Sequence, residues 1–138
     1  MLVLVTAFEP FGGSGVNPSM PLARALARRP PAGMTIRSRV LPVVGGQAVD
    51  VLLGAMNQVR PDAVICLGQS ARAACLVFER VAVNLRDYPV PDNAGAVVRD
   101  EPVVDGAPAA HFTTLPVRLM VDACRAAGVP AAISLSAG

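Results

Sequence analysis

The chain has 138 residues, 53% hydrophobic and 16% charged, with a formal net charge of +2. This length fits one domain, and a chain so apolar and so weakly charged does not stay disordered. Its apolar runs are too short to span a membrane, and its scattered basic residues argue against a nucleic-acid surface. No basic segment precedes the first apolar run, so no secretory signal is expected. The three cysteines lack zinc-site or disulfide spacing and indicate a reducing cytoplasm and no metal site.

The first predicted element is a buried strand, Leu2–Thr6. A loop rich in glycine and proline follows it, Ala7–Pro18. Ser19 is predicted to cap a helix that carries Pro21 in its first turn and runs to about Arg29.

Next in the chain come a predicted strand at Thr35–Leu41 and a helix at Gln47–Val59 with apolar residues at helical spacing. A second buried strand is predicted at Ala63–Leu67, and a third, with alternating apolar residues, at Leu76–Asn84.

The remaining part of the chain is predicted to hold a loop at Asp87–Gly95, a short hairpin at Ala96–Val104, a helix at Pro116–Ala127 and a strand at Ala131–Leu135. Strands that alternate with amphipathic helices indicate crossover units and a mostly parallel sheet, so we expect a single α/β domain over residues 1–138. A final strand with no helix to cover its face suggests a truncated chain.

Two segments at predicted strand ends are candidates for ligand binding, because ligands of open α/β sheets bind there. Phe8 and Phe11 could form the walls of a small flat pocket, or they could be buried core aromatics. Gln69 could hydrogen-bond a ligand amide, or it could satisfy backbone groups of its turn.

Glu79 is the third candidate, because it is flanked by valines in a predicted strand. A carboxylate on an apolar face is costly to bury unless it is paired, and such groups concentrate at functional sites. The alternatives are a structural ion pair with an arginine and a solvent-facing strand end.

The other reactive side chains are interpreted as structural. His111 is expected to pack or to lie at the surface, and Cys66 and Cys124 are expected to be inert core thiols. Asp92-Asn93 is interpreted as turn chemistry. Gly13-Ser14-Gly15 lacks the third glycine of a dinucleotide loop, and a chain without lysine has no Walker loop.

Five stretches taken together resemble the pyroglutamyl peptidase I family of cysteine peptidases. They are Phe8–Gly13 followed by Asn17-Pro18-Ser19, then Leu67-Gly68-Gln69, then Glu79–Asn84, then Pro91-Asp92-Asn93, and finally Ile133–Gly138. The resemblance implies a three-layer α/β sandwich with a mostly parallel twisted sheet, related to the fold of nucleoside phosphorylases.

The resemblance also implies a function, the removal of N-terminal pyroglutamyl residues from peptides by a Cys-His-Glu arrangement without cofactor or metal. Glu79 takes the position of the acid that orients the imidazole. Phe8 and Phe11 match the residues that sandwich the pyrrolidone ring, and Asn17 and Gln69 match positions near that pocket. It further implies a cytoplasmic protein that forms a homo-oligomer.

The chain departs from the family pattern at two of the three catalytic residues. The nucleophilic cysteine and the histidine of the family follow the motif that ends at Gly138, and no cysteine or histidine of this chain matches them. The chain alone is therefore expected to be inactive. A non-catalytic pyrrolidone-binding protein is the alternative, and phosphate or nucleoside handling through Gly12–Gly15 is a third. Smaller departures occur at Val43, Val77 and Ser70-Ala71-Arg72.

Overall fold

The computed structural model describes residues 1–70, 73–88 and 90–135. The helices and strands follow in chain order: β1 (Leu2–Phe8), α1 (Ser19–Arg28), β2 (Thr35–Leu41), α2 (Gln47–Val59), β3 (Ala63–Cys66), β4 (Leu76–Glu79), β5 (Val81–Val83), β6 (Ala110–Phe112), α3 (Val117–Ala126) and β7 (Ala131–Ser134). Among the described residues, no helix is long and apolar enough to cross a membrane. The chain divides into two compact units, the first made of residues 1–69 and 90–97 and the second of 70–89 and 98–138.

The first unit contains a three-stranded parallel sheet in the order β2-β1-β3. β1 pairs with β2 over its whole length, from Leu2 opposite Thr35 to Phe8 opposite Leu41. β3 pairs with β1 from the other side, with Cys66 opposite Thr6. The carboxyl ends of the three strands therefore lie at one edge of this sheet, where Phe8 ends the central strand.

Helices cover both faces of this sheet. The side chains of Val3, Val5 and Ala7 form a buried cluster with Ala23 of α1. The alternate residues of β1 face the other way, and Leu4 lines a groove there together with residues of α2. The first unit is thus a three-layer α/β arrangement, as predicted.

The second unit contains two pairs of strands. β4 and β7 are parallel, with Leu76 opposite Ala131 and Glu79 opposite Ser134. β5 and β6 are antiparallel, with Val81 opposite Phe112. α3 follows β6, and its buried residues are Val117 and Val121.

The predicted strand Leu76–Asn84 is wrong as a single element, because the chain changes partners at Arg80. The Arg80 N–H donates to the carbonyl of Ser134 at 2.9 Å, and the Arg80 carbonyl accepts from the N–H of Thr113 at 2.9 Å. The segment therefore belongs to two separate ladders. Glu79 lies in β4 and the valines after it lie in β5, so they do not share a face of one regular strand as predicted.

The predicted hairpin at Ala96–Val104 is also wrong. This segment makes one isolated bridge, between Glu101 and Arg86. The antiparallel partner of β5 is β6, Ala110–Phe112, which lies in an exposed segment rich in alanine and proline. The other predicted elements are confirmed, with ends that move by one or two residues.

Candidate functional site

The loop after β1 carries the two candidate pocket phenylalanines. Phe8 ends β1, and Phe11 lies three residues later; both side chains are half-buried. Gly12 and Gly13 follow with φ of +61° and +78°, a backbone conformation that favours glycine. The turn is closed by the N–H of Ser14, which donates to the Phe11 carbonyl at 3.1 Å. The two rings therefore stand at either end of a short segment whose direction reverses immediately afterwards.

Asn17 supports this segment from the interior. Its side chain is completely buried, and its Nδ2 donates to the Glu9 carbonyl at 3.1 Å. Its Oδ1 accepts from both the N–H and the hydroxyl of Ser19, at 3.1 and 2.7 Å. The Ser19 Oγ in turn accepts from the N–H of Phe8 at 3.2 Å.

The predicted capping role of Ser19 is therefore wrong. α1 begins at Ser19 itself, with Pro18 before it and no side-chain cap from that position. Asn17 satisfies the first helical N–H instead, because an asparagine side chain reaches the backbone two residues on. Ser19 is left to bind the end of β1.

Glu9 supports the same segment from the other side. Its Oε1 accepts from the N–H of Val43 at 3.0 Å and from the Nδ2 of Asn93 at 2.8 Å. The Asn93 Nδ2 also donates to the Pro10 carbonyl at 3.0 Å, and the Asn93 N–H donates to the Val43 carbonyl at 2.8 Å. Asn93 and Glu9 are 84 positions apart along the chain. This clamp, as we call the contacts of Glu9, Val43 and Asn93, joins three loops of the first unit.

Asp92 holds the loop that supplies Asn93. Its Oδ2 accepts from the N–H of Gly45 at 2.9 Å, just before α2. Its Oδ1 accepts from the N–H groups of Ala94 and Ala96, each at 2.9 Å. The Gly45 N–H, followed by that of Ala96, lowers the pKa of the Asp92 carboxyl below its ordinary value. The interpretation of Asp92-Asn93 as turn chemistry is confirmed for Asp92, whereas the contact of Asn93 with Glu9 is not visible in the local sequence.

Gln69 lies just after β3 and is exposed. The pairing of β3 with β1 continues one residue beyond the strand, because the N–H of Leu67 donates to the Thr6 carbonyl at 2.9 Å. Gln69 therefore comes two residues after the last pairing of β3 with β1, at the edge of the sheet where Phe8 ends β1. The neighbouring departures from the family pattern at Ala71 and Arg72 lie outside the described residues, as does the Ser136–Gly138 end of the last motif.

Glu79 ends β4 in the second unit, opposite Ser134 in the register of β4 and β7. Its side chain is exposed, so the inward position among valines expected from the sequence is wrong, and the alternative of a solvent-facing strand end is what the structure shows. Among the residues that the structure describes, the salt bridge is between Arg86 and Glu101, and Glu79 is in none. Glu79 is therefore an accessible carboxylate at the carboxyl end of a parallel strand.

The other reactive groups form no second candidate site within the described ranges. No group of histidine, cysteine, aspartate and glutamate there has the arrangement of a metal site. His111 is exposed, in accordance with its predicted surface role. Cys124 is half-buried, but Cys66 is exposed, so its interpretation as a core thiol is wrong. Cys66 is the last residue of β3, at the carboxyl end of the strand.

These features define an α/β protein whose candidate site residues follow the carboxyl ends of parallel strands. The chain belongs to the pyroglutamyl peptidase family, whose model matches residues 1–138.

Known proteins resemble this chain over its whole length. It is 49% identical to the pyrrolidone-carboxylate peptidase of Streptomyces coelicolor over 136 residues, which are 99% of this chain and 63% of that protein. It is 48% identical to that of Gloeobacter violaceus, covering 100% of this chain and 67% of the relative.

Solved structures of this family have the same fold as this chain. The crystal structure of Bacillus amyloliquefaciens pyroglutamyl peptidase I superposes with a TM-score of 0.95 at 39% identity, over 99% of this chain and 66% of that one. The pyrrolidone carboxyl peptidase of Pyrococcus furiosus superposes with a TM-score of 0.96 at 43% identity, over 100% and 66%. The chain thus spans about two thirds of the length of the proteins it matches, and its fold is theirs.

Proposed function

We propose that this chain provides the ring pocket and the acid residue of a peptidase that removes N-terminal pyroglutamyl residues from peptides. The observation that carries the proposal is the loop after β1. Its two phenylalanines flank a segment that side chains fix from both sides, and this loop lies in a chain matched by the family model along its whole length. A flat lactam ring packs well against aromatic faces that the fold holds in place, and this loop is proposed to supply them.

In this proposal Phe8 and Phe11 bind the faces of the pyrrolidone ring. Gln69, which follows the same sheet edge, has an amide that is able to hydrogen-bond the ring's lactam group. Asn17 is completely buried and bonds to Glu9 and Ser19, so its contribution is to hold the loop.

The chemical step is acyl transfer to a thiolate. The thiolate attacks the carbonyl carbon of the pyroglutamyl residue, the peptide amine leaves with a proton from the imidazole, and water hydrolyses the resulting thioester. Glu79 is proposed to orient that imidazole and to stabilise its charged form. Its exposure and its lack of a described ion pair leave its carboxylate accessible for this role.

The resemblance places the thiolate and the imidazole in the part of the family that follows Ser136–Gly138. The cysteines and the histidine of this chain match neither group by position, so we propose that residues 1–138 alone bind without turnover. A homo-oligomer, a cytoplasmic location and independence of metal or cofactor stay predictions from the resemblance.

The test is hydrolysis of a pyroglutamyl-linked chromogenic reporter by the full-length gene product, with a prolyl-linked reporter as the matched substrate control. We expect cleavage of the first reporter and not of the second, and inhibition by thiol alkylation. Binding of pyroglutamate without cleavage would favour the alternative, a non-catalytic pyrrolidone-binding protein. Turnover by purified residues 1–138 would overturn the proposed position of the nucleophile.

A further inference from the structure

The contacts of Asn93 have no role in the chemistry described above, although they reach the segment between the two candidate pocket phenylalanines. Asn93 lies in the segment Val90–Val97, which belongs to the first unit although the chain on both sides of it belongs to the second. It donates hydrogen bonds to both residues that separate Phe8 from Phe11, namely to Glu9 Oε1 at 2.8 Å and to the Pro10 carbonyl at 3.0 Å.

These bonds leave the segment between the two rings few ways to move. The Glu9 N–H donates to the Leu41 carbonyl at 3.1 Å, and the Glu9 carbonyl accepts from Asn17. The Pro10 carbonyl is bound by Asn93, and Pro10 has no N–H. The Glu9 carboxylate is bound by two donors, and charge-assisted hydrogen bonds of this kind are stronger than neutral ones.

The two supports of the segment differ in burial. Asn17 is completely buried, so it belongs to the packed interior of the first unit. Asn93 is exposed and Glu9 is half-buried, so the clamp lies at the surface and its removal leaves the core intact. Asn17 therefore stabilises the fold of the loop. Asn93 instead holds Glu9 and Pro10 by hydrogen bonds at the protein surface.

We infer that Asn93 and Glu9 are positioning residues for the ring pocket: their contact fixes the separation and orientation of Phe8 and Phe11, and so determines how well a pyrrolidone ring binds. This inference rests on the proposed function. Displacement of a substrate-positioning group by about 1 Å can cost on the order of 100-fold in rate, so loss of the clamp is expected to cost at least about tenfold in kcat/KM.

The experiment compares Asn93→Ala with Asn57→Ala in the full-length gene product. Asn57 is an exposed asparagine within α2 and serves as the matched control. Hydrogen–deuterium exchange of residues 8–14 is measured along with kcat and KM for the pyroglutamyl reporter. We expect Asn93→Ala to accelerate exchange in that segment and to lower kcat/KM mainly through KM, with the melting temperature little changed. Asn57→Ala should leave exchange and kinetics unchanged.

A paired exchange tests whether Glu9 acts through the same contact. Asn93→Asp replaces a donor by an acceptor and places two carboxyl groups together, so it should be at least as damaging as Asn93→Ala. Adding Glu9→Gln restores one donor between the two positions, since the glutamine amide donates to the aspartate. The double variant should recover several-fold in kcat/KM over Asn93→Asp alone, which a general loss of stability would not produce.

The outcomes separate the inference from the proposed function. Unchanged exchange in Asn93→Ala overturns the positioning role whether or not the protein is active. Accelerated exchange with unchanged kinetics in an active enzyme also overturns it. A wild-type protein that leaves the reporter intact overturns the proposed function, and binding of free pyroglutamate to wild type and to Asn93→Ala then decides the positioning role.

Discussion

The hydroxyl of Ser19 donates to the Oδ1 of Asn17 at 2.7 Å, and both side chains are buried. Through this pair, the start of α1 is connected to the loop after β1, because Asn17 also binds the Glu9 carbonyl and Ser19 also binds the N–H of Phe8. The end of β1 and the first turn of α1 thus share one buried network of hydrogen bonds.

Asn17→Ala is predicted to destabilise the full-length gene product. The substitution leaves the half-buried Glu9 carbonyl and the buried Ser19 groups without their partner, and each buried group left unsatisfied costs about 1–3 kcal/mol. Urea unfolding should show a loss of at least about 2 kcal/mol in the free energy of unfolding, whereas Asn57→Ala on the surface of α2 should show none. A loss equal to that of the control would mean that water replaces the network.

Phe8→Ala and Phe11→Ala are predicted to impair binding of the pyrrolidone ring. Each removes one proposed wall of the pocket, and an aromatic contact contributes about 0.5–1.5 kcal/mol beyond the area that it buries. We expect a loss of roughly tenfold or more in kcat/KM for the pyroglutamyl reporter, while circular dichroism shows a folded protein. Leu53→Ala, which removes an exposed apolar side chain of α2, is the control. Wild-type kinetics in both phenylalanine variants would show that the rings belong to the core alone.

Glu79→Gln is predicted to keep the shape of the site and remove its charge. If Glu79 stabilises an imidazolium, kcat should fall by at least about tenfold; neutralising the carboxylate of a serine-protease triad costs roughly 10⁴-fold. Glu101→Gln is the matched control, because its ion pair with Arg86 is at the surface and such pairs contribute about 0–1 kcal/mol. Equal kcat values in the two variants would remove Glu79 from the mechanism.

The Asp92 carboxyl is predicted to make stability depend on pH. Its pKa is lowered in the folded protein by the backbone N–H groups that it binds, first that of Gly45, from an ordinary value of 3.8. The unfolded chain therefore takes up the proton at higher pH than the folded one. The stabilisation is complete above the ordinary value and is lost as the pH falls through the folded pKa.

Asp92→Asn tests this prediction, because an amide does not titrate. Urea unfolding at pH 7 and pH 3 should give a smaller difference between the two free energies of unfolding in Asp92→Asn than in wild type. Asp122→Asn, at an exposed position of α3, should retain the wild-type difference. An unchanged difference in Asp92→Asn would contradict the contribution of this carboxyl.

Thr6→Val is predicted to be tolerated or stabilising. Within the described part of the chain, Thr6 Oγ1 is a buried side-chain oxygen without a hydrogen-bond partner, and the residue is completely buried in β1. Replacing the hydroxyl by a methyl group relieves a desolvation cost, so the free energy of unfolding should rise by up to about 1 kcal/mol. Thr6→Ser keeps the hydroxyl and removes a methyl group, so it should destabilise. A loss on Thr6→Val would show that the hydroxyl is bound.

The sequence predicts the elements whose signals are local. The bounds of β2 and α2 agree with the prediction residue for residue, because alternation and helical spacing are properties of neighbouring positions. The loop after β1 was also predictable, since glycine and proline follow a buried strand there. The contact of Asn93 with Glu9 was not, because nothing local specifies a partner 84 positions away.

The break at Arg80 escaped prediction for a related reason. Valines continue on both sides of it, and only the partners differ: β4 pairs with β7, and β5 pairs with β6. The wrong expectation that Glu79 is buried has the same origin, because it assumed a single uninterrupted strand. Pairing between distant segments is decided by the whole fold and is absent from any window of adjacent residues.

The return of residues 90–97 to the first unit has a consequence for biosynthesis. When residues 1–69 leave the ribosome, the strands β1, β2 and β3 are complete, but the donors of Asn93 and the carboxylate of Asp92 have not yet been made. At synthesis rates of about 5–20 residues per second, this interval lasts a second or more. Contacts of such long sequence separation also form slowly. The segment between Phe8 and Phe11 is therefore expected to be the last part of the first unit to become protected from proteases in a nascent chain.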